Sequence, residues 1–373
     1  MLTPLDEHLG YLQIERRLDL YREAMAAHPI EGATVADLGC GIGVLGLLCL
    51  EEGAAHIYGI DHSDAIELAR EAMVKAGLSE RYTCLRESTF RAKLPERVDL
   101  LVCDHIGYFG IDYGIVDMLR DAKARFLKPD GAIIPRSITP VVAGISSDVC
   151  RDLGNAWGDA GIPETYRWLG LHARNAKHAV DVTADDICTD TLACDAIRMG
   201  EAGPDLFSVT GELVALRDCR LDGLAGWFDA ELADGVRMTN SPLAKSAIKR
   251  SQVFLPCAEA FDVEASDRIG VSVKFRSDGE TLAWTIEPPA GTPQFMSTWR
   301  SRILTGSDLA TAGGRPPVLG TAAKARAALL ALVDGMRTSQ EIAEIMAAEH
   351  GALFPSEAEL RRFVARELSW AAR

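Results

Sequence analysis

No stretch of the chain stays apolar for the roughly 20 positions a membrane-crossing helix needs, so no span and no membrane partner are expected. Positive charge is also in short supply. The 39 Lys and Arg against 54 Asp and Glu leave a net charge of −15, which argues against nucleic-acid binding, because that requires a basic footprint. The same acidity suits a basic peptide substrate, whose approach it would steer, and equally suits plain solubility. The cysteines contain no Cys-x-x-Cys pair and no histidine at zinc-ligand spacing. Neither a disulfide framework nor a metal site is expected, and the thiols read as reduced and cytoplasmic. Met1-Leu2-Thr3-Pro4-Leu5-Asp6-Glu7 has no basic region followed by an apolar run, so a signal peptide is not expected. A length of 373 residues accommodates two or three domains, each with its own core.

Against these absences stands Val35-Ala36-Asp37-Leu38-Gly39-Cys40-Gly41-Ile42-Gly43-Val44-Leu45-Gly46. It reads as a short apolar strand, a turn with glycines at alternate positions, and the start of a helix. Lacking Cβ, glycine lets the chain bend tightly and a ligand lie against the backbone. The free N–H groups and dipole of the helix start then favour a nucleotide-like group. The spacing is Gly-x-Gly-x-Gly, not the Gly-x-Gly-x-x-Gly of dinucleotide folds.

From Thr34 onward strands and helices alternate. Strands are expected over Val35–Leu38, His56–Ile60, Tyr82–Leu85, Val98–Cys103 and Ala132–Pro135, with a turn at Lys128-Pro129-Asp130-Gly131. Helices are expected over Ile42–Glu52, from Ser63 or Asp64 to Ala76, and over Ile115–Phe126, preceded by an amphipathic helix over Tyr11–Ala27. This is a parallel sheet covered by helices, which binds ligands at the carboxyl ends of its strands, where Asp37, Asp61 and Asp104 all lie. After Arg136 short β-forming runs predominate, such as Phe207–Val209, Leu213–Leu216, Gly226–Leu232, Gln252–Leu255, Ile269–Phe275 and Leu282–Ile286. Turn residues, Asp222-Gly223 among them, separate these runs, as in an antiparallel sandwich or barrel. The stretch Asp152–Asn175 looks helical, an arm within that domain. Residues 304–319 read as a linker. Beyond them are three helical patterns, two opened by the capping boxes Thr338-x-x-Glu341 and Ser356-x-x-Glu359. The expected division is therefore an N-terminal helix (1–30), an α/β Rossmann-like domain (31–140), a β-barrel or sandwich domain with a helical arm (141–303), the linker, and a small helical or winged-helix domain (320–373).

The glycine turn is similar to motif I of class I S-adenosylmethionine (SAM) methyltransferases. Taken with the β-rich domain that follows without a break, the chain from Tyr11 to Ile303 resembles protein arginine methyltransferases. Arg17-x-x-x-Tyr21 matches that family's N-terminal helix, which implies that Arg17 holds the SAM carboxylate and that aromatic residues cover the cofactor. Asp37, Gly39, Cys40, Gly41 and Gly43 match motif I, and Asp61 stands where the family has an acid for the ribose hydroxyls. Leu45, His62, Glu87 and Ser88 complete the cofactor set the resemblance implies, with S-adenosylhomocysteine as the product. Lys93-Leu94-Pro95 to Asp99, Gly107-Tyr108, Leu127–Gly131 with Ile134-Pro135, Gly226–Asp229 and Ser241-Pro242 also stand at family positions.

The departures fall at the acceptor. Two glutamates of the family's loop after strand four hold the substrate guanidinium. Here Asp104 takes the first position and Tyr113 the second, with Asp112 beside it. The family's Thr-His-Trp motif is replaced by Ala247-Ile248-Lys249. Asp104, His105, Tyr108, Asp112 and Tyr113 are the expected lining of the acceptor pocket, with His105 a candidate base near neutral pH or merely a packed ring. The C-terminal pattern Leu332–Ala343 is faintly similar to leader-peptide recognition domains of the PqqD type. The expectation is a SAM-dependent methyltransferase acting on a peptide or protein, a ribosomally made peptide being one candidate, at a non-standard acceptor, and dimerising through the arm. The alternatives are an arginine N-methyltransferase on protein or free arginine, a small-molecule N- or O-methyltransferase, and a SAM-binding scaffold without activity.

Overall fold

The computed structural model describes residues 4–159, 161–279, 281–302 and 316–371. The chain divides into two units, Met1–Arg302 and Ile303–Arg373. No helix among the described residues is long and apolar enough to cross a membrane.

The first unit opens with helices α1 (Pro4–Leu12) and α2 (Arg17–Ala26). A single helix was expected from Tyr11, but the chain breaks at residues 13–16, where Arg16 adopts a left-handed conformation with φ 62°. Tertiary bonds outweigh the helical pattern here: Arg16 donates to the Ser246 carbonyl at 3.3 Å, and Arg17 to that of Tyr11 at 3.3 Å. Next come β1 (Thr34–Leu38), α3 (Val44–Glu51), β2 (His56–Asp61), α4 (Ala65–Lys75), β3 (Tyr82–Arg86), β4 (Val98–Cys103), α5 (Ile115–Phe126) and β5 (Leu127–Ile134). These strands form a parallel sheet in the order β3-β2-β1-β4-β5. The order reverses between β1 and β4, the position at which such sheets open a crevice. Helices cover both faces, which explains the apolar run of β4. The turn expected at Lys128–Gly131 is absorbed into β5, whose register against β4 shifts between Val98 and Leu100.

Antiparallel structure starts at β6 (Ser137–Ile145). The helical stretch follows, with α6 (Asp148–Asn155), two short 3₁₀ turns and α7 (Gly170–Arg174). The remaining strands are β7 (His178–Val180), β8 (Ile187–Ala193), β9 (Ile197–Arg198), β10 (Leu206–Val214), β11 (Cys219–Ala233), β12 (Val236–Thr239), β13 (Gln252–Val263), β14 (Arg268–Arg276), β15 (Leu282–Glu287) and β16 (Gln294–Ser297). They do not close into a barrel. One sheet runs β7-β13-β11-β6-β8, with β12 on β11 and β9 on β6; the other runs β10-β14-β15-β16. The buried Trp284 of the second sheet donates its indole N–H to the Pro256 carbonyl of the first at 2.8 Å, so this donor is not orphaned at the seam.

Asp222-Gly223, expected as a turn, lies inside β11 at a register shift against β13. A Cβ on Gly223 would come within 2.3 Å of the Leu255 carbonyl oxygen, so glycine is required there by close backbone approach. Buried Asp222 accepts from the Ser147 N–H at 2.9 Å and from Arg151 Nε at 2.8 Å, tying α6 to the sheet.

The second unit contains α8 (Thr321–Ala331), α9 (Ser339–His350) and α10 (Glu357–Ala371) around Leu329, Ile342, Met346, Leu360 and Val364. Both capping serine/threonine residues act as expected: Thr338 accepts from Glu341 N–H at 3.2 Å, and Ser356 from Glu359 N–H at 3.2 Å. Among its described residues this unit has no strand, so it is helical and shows no wing. Most of the expected linker, residues 304–315, lies outside the described residues.

Candidate active site

The glycine turn between β1 and α3 has the left-handed backbone its sequence demands. Gly39, Gly41 and Gly43 have φ of 65°, 54° and 83°, a region that L side chains rarely enter. A Cβ on Gly39 would lie 3.1 Å from His105 Nδ1, and one on Gly41 2.6 Å from the His8 ring. The turn is therefore sandwiched between α1 and the loop that follows β4.

Two carboxylates brace it. Asp37, fully buried at the end of β1, accepts from Gly46 N–H at 2.8 Å and lies 3.5 Å from the Tyr82 hydroxyl. Burial raises its pKa to about 7, more than the Gly46 bond can offset. Asp61, at the end of β2, accepts from Gly41 N–H at 2.9 Å and from the backbone and hydroxyl of Ser63 at 2.8 and 2.7 Å. Burial would raise its pKa, but the Ser63 and Gly41 donors together outweigh it and hold the carboxyl below its usual range. Asp61 is thus an anion at the rim of the crevice.

The third strand end behaves differently. Asp104 Oδ2 accepts from both Arg17 Nε and Arg250 Nη2, the latter at 3.4 Å, while the Tyr21 hydroxyl lies 3.0 Å from Oδ1. Arg250 Nη1 also donates to the Ile106 carbonyl at 2.6 Å. Asp112 is held by Lys177 Nζ at 3.0 Å and by the Phe109 N–H. Asn240 donates to the Tyr108 carbonyl at 2.9 Å, so the loop is fastened to the antiparallel sheet. His105 packs edge-on to Tyr113, ring centroids 5.7 Å apart, and burial depresses its pKa despite the nearby Asp61 and Asp104, leaving a neutral ring at pH 7. Burial raises the pKa of Tyr113 and of Tyr11, so both phenols keep their protons.

These groups enclose a cavity of about 470 Å³, the size of a small-molecule site. Of the expected residues, Arg17, Asp37, Gly39, Cys40, Gly41, Leu45, Asp61, His62, Asp104, His105 and Tyr113 line it. Tyr21, Gly43, Tyr108, Asp112, Glu87 and Ser88 are not part of that lining. Tyr21 is wholly buried, its hydroxyl 3.0 Å from Asp104 Oδ1, and Asp112 is paired with Lys177. Glu87 sits past β3 with its N–H on the Asp61 carbonyl at 3.2 Å. Not legible in the sequence were His8 and Tyr11 of α1, which join the lining, and Arg250 and Lys177, which do not line the cavity but pair with Asp104 and Asp112. Arg250 lies one position beyond the segment aligned with the family's Thr-His-Trp, so a one-residue shift in that count was the only available signal.

Residues 18–135 match the family model of the methyltransferase small domain. Protein arginine N-methyltransferase 1 of Schizosaccharomyces pombe is 27% identical over 258 residues, spanning 66% of this chain and 75% of that protein. The probable protein arginine N-methyltransferase 6 of Arabidopsis thaliana is 33% identical over 141 residues, which are 37% of this chain but 32% of that protein. The chain is a SAM-dependent methyltransferase. Its architecture is that of protein arginine methyltransferases. It superposes on the Trypanosoma brucei PRMT1 enzyme-prozyme heterotetrameric complex with AdoHcy at TM-score 0.68, with 20% identity over 78% of this chain and 97% of that one. Arabidopsis thaliana protein arginine methyltransferase 10 matches at TM-score 0.66, with 19% identity over 77% and 96% of the two chains. Likenesses at this identity establish the fold.

SAM is the methyl donor of this methyltransferase, and the cavity suits it. The glycine turn, the anionic Asp61 and the buried cation of Arg17 all line that cavity.

Proposed function

We propose that this methyltransferase modifies a peptide or protein at an acceptor other than guanidinium. The observation that carries this reading is the engagement of both loop acids by the protein's own cations: Asp104 by Arg17 and Arg250, Asp112 by Lys177. A guanidinium substrate requires free carboxylates to hold it and to draw off its charge. The similarity to protein arginine N-methyltransferases supports a polypeptide substrate, and the net charge of −15 suits a basic one.

Bound SAM supplies an electrophilic methyl group on a sulfonium. On this reading Arg17 holds its carboxylate, Asp61 its ribose hydroxyls, and the Gly39–Gly43 backbone allows the close approach. The α1 residues His8 and Tyr11 keep water from the reacting end. His105, neutral through burial, is available to give or take a proton. The helical unit over 316–371 holds the polypeptide, with Leu330 and Met336 exposed for the purpose. The arm, where Trp157, Tyr166 and Trp168 are exposed, joins two copies. The work is cytoplasmic.

The test is SAM titration by calorimetry, followed by tritiated-methyl transfer to peptides with and without arginine and to free amino acids. Transfer to arginine-free peptides is expected. Transfer confined to free amino acids, or requiring arginine, overturns the reading. Removal of the chain from Leu319 onward should raise KM for the peptide and leave SAM affinity unchanged; no change in KM removes the peptide-holding role.

A further inference from the structure

Resting on the reading that a polypeptide is methylated, the groups at the far end of the cavity define the acceptor itself. We propose that the acceptor is a carboxylate, and that Arg250 selects it by placing a buried cation against Asp104, the loop carboxylate that a guanidinium substrate would need free.

The argument is a count of what that end offers. Asp104 is engaged by two guanidinium groups, with the Tyr21 phenol beside it, so the cluster Arg17–Asp104–Arg250 carries one positive charge in excess. The Arg250 side chain is 6% exposed and reaches the site from 146 residues beyond Asp104, so its charge is poorly screened by water. In the lining, Tyr113 keeps its hydroxyl proton and the neutral His105 ring carries one N–H, which makes two further donors, while the Tyr11 hydroxyl is directed at Glu7. The remaining acid of the loop, Asp112, is spent on Lys177 and on the Phe109 N–H. Glu7 stands at the cavity's exposed rim, 3.5 Å from the Tyr11 hydroxyl. At this end of the cavity, donors beside an excess cation favour an anion over a guanidinium or an ammonium, while the Asp61 anion in the same lining is already bonded to Gly41 and Ser63.

The chemistry agrees. A carboxylate oxygen gives its electron pair to the methyl carbon, the O–C bond forms as the C–S bond breaks, and the C–S pair leaves with sulfur. Anion and sulfonium become a neutral methyl ester and S-adenosylhomocysteine, and no proton moves. Such an acceptor needs no general base, which removes the need for the free carboxylates that this loop does not present. Alignment and charge complementarity are sufficient.

The experiment uses the full chain, tritiated SAM and two pools of randomised synthetic peptides. One pool has free C-termini and contains Asp and Glu; the other is amidated, lacks acids and contains Arg and Lys. The wild-type protein should label the acidic pool, with the label released as volatile methanol by mild alkali. Alkali-stable label on arginine overturns both this inference and the non-guanidinium reading. Alkali-stable label on any other nitrogen, or no label in the acidic pool, overturns the carboxylate alone, and SAM binding in the same preparation shows that the cofactor site is intact. Arg250→Met should lower ester formation by about tenfold or more without altering the Kd for SAM, and Arg250→Lys should recover most of it. Undiminished transfer by Arg250→Met overturns the role of Arg250. If Arg250→Met does not fold, Arg250→Lys decides: loss of alkali-labile transfer with SAM binding retained overturns it equally.

Discussion

In the glycine-turn half of the cavity the carboxylates are partnered by nearby chain. Asp37 takes Gly46 N–H from nine residues away, and Asp61 takes Ser63 and Gly41 from two and twenty. In the loop after β4 the partners come from far off: Asp104 is met by Arg17 and Arg250 across 87 and 146 residues, and Asp112 by Lys177 across 65. The first half follows from one strand–turn–helix unit and its neighbour. The second exists only once α2 and the antiparallel region have folded onto the parallel sheet. On the reading proposed above, cofactor binding and acceptor choice are thereby separated in the chain, so that acceptor chemistry can change without disturbing the cofactor site.

The contrast breaks first at Arg17, which belongs to both halves. Arg17→Met leaves buried Asp104 with Arg250 as its one cation and should cost about 3 kcal/mol in chemical denaturation, together with most of the SAM affinity. A loss under about 1 kcal/mol would mean that the cluster contributes little and that the acceptor half is not held by its long-range pairs.

Asp37 gives a pH signature on the local side. Its carboxyl is raised from 3.8 to about 7 in the folded protein, so between these values the native state binds a proton that the unfolded chain has released. Stability from this group is greatest below pH 4 and falls as pH rises towards 7. Relative to Asp37→Asn, the wild type should lose roughly 2–3 kcal/mol between pH 5 and pH 7 in urea denaturation. Parallel curves for the two proteins would show that the Gly46 bond keeps Asp37 ionised.

Asp61→Asn removes the anion that Gly41 and Ser63 stabilise, and the Kd for SAM should rise about tenfold or more by calorimetry, with acceptor KM little changed. The smallest effect is expected on the long-range side. Lys177→Met leaves Asp112 with the Phe109 N–H and should raise acceptor KM by roughly fivefold while leaving SAM affinity alone. A shift in SAM affinity from Lys177→Met, or in acceptor KM from Asp61→Asn, would join the two halves.

The parallel strands, the glycine turn, Asp61, the Thr338 capping box and the Ser356 cap were legible from the residues, because each depends on period, turn chemistry or a partner a few positions away. Three features were not. The break before α2 opposes the local helical pattern and is imposed by contacts to Ser246 and Tyr11. Asp222-Gly223 carries the composition of a turn, yet lies in β11 because the Leu255 backbone presses on Gly223. The open arrangement of the two antiparallel sheets depends on strand pairings that alternation alone does not specify.

For the active site the division is the same. By itself the sequence determined the turn after β1, since three glycines at alternate positions accept the positive φ it requires wherever the rest of the chain goes. Only the tertiary structure decided that Asp104 meets Arg250 and that Asp112 meets Lys177. Those pairs join residues that sequence spacing does not relate, and a buried carboxylate takes whichever cation the fold delivers to it.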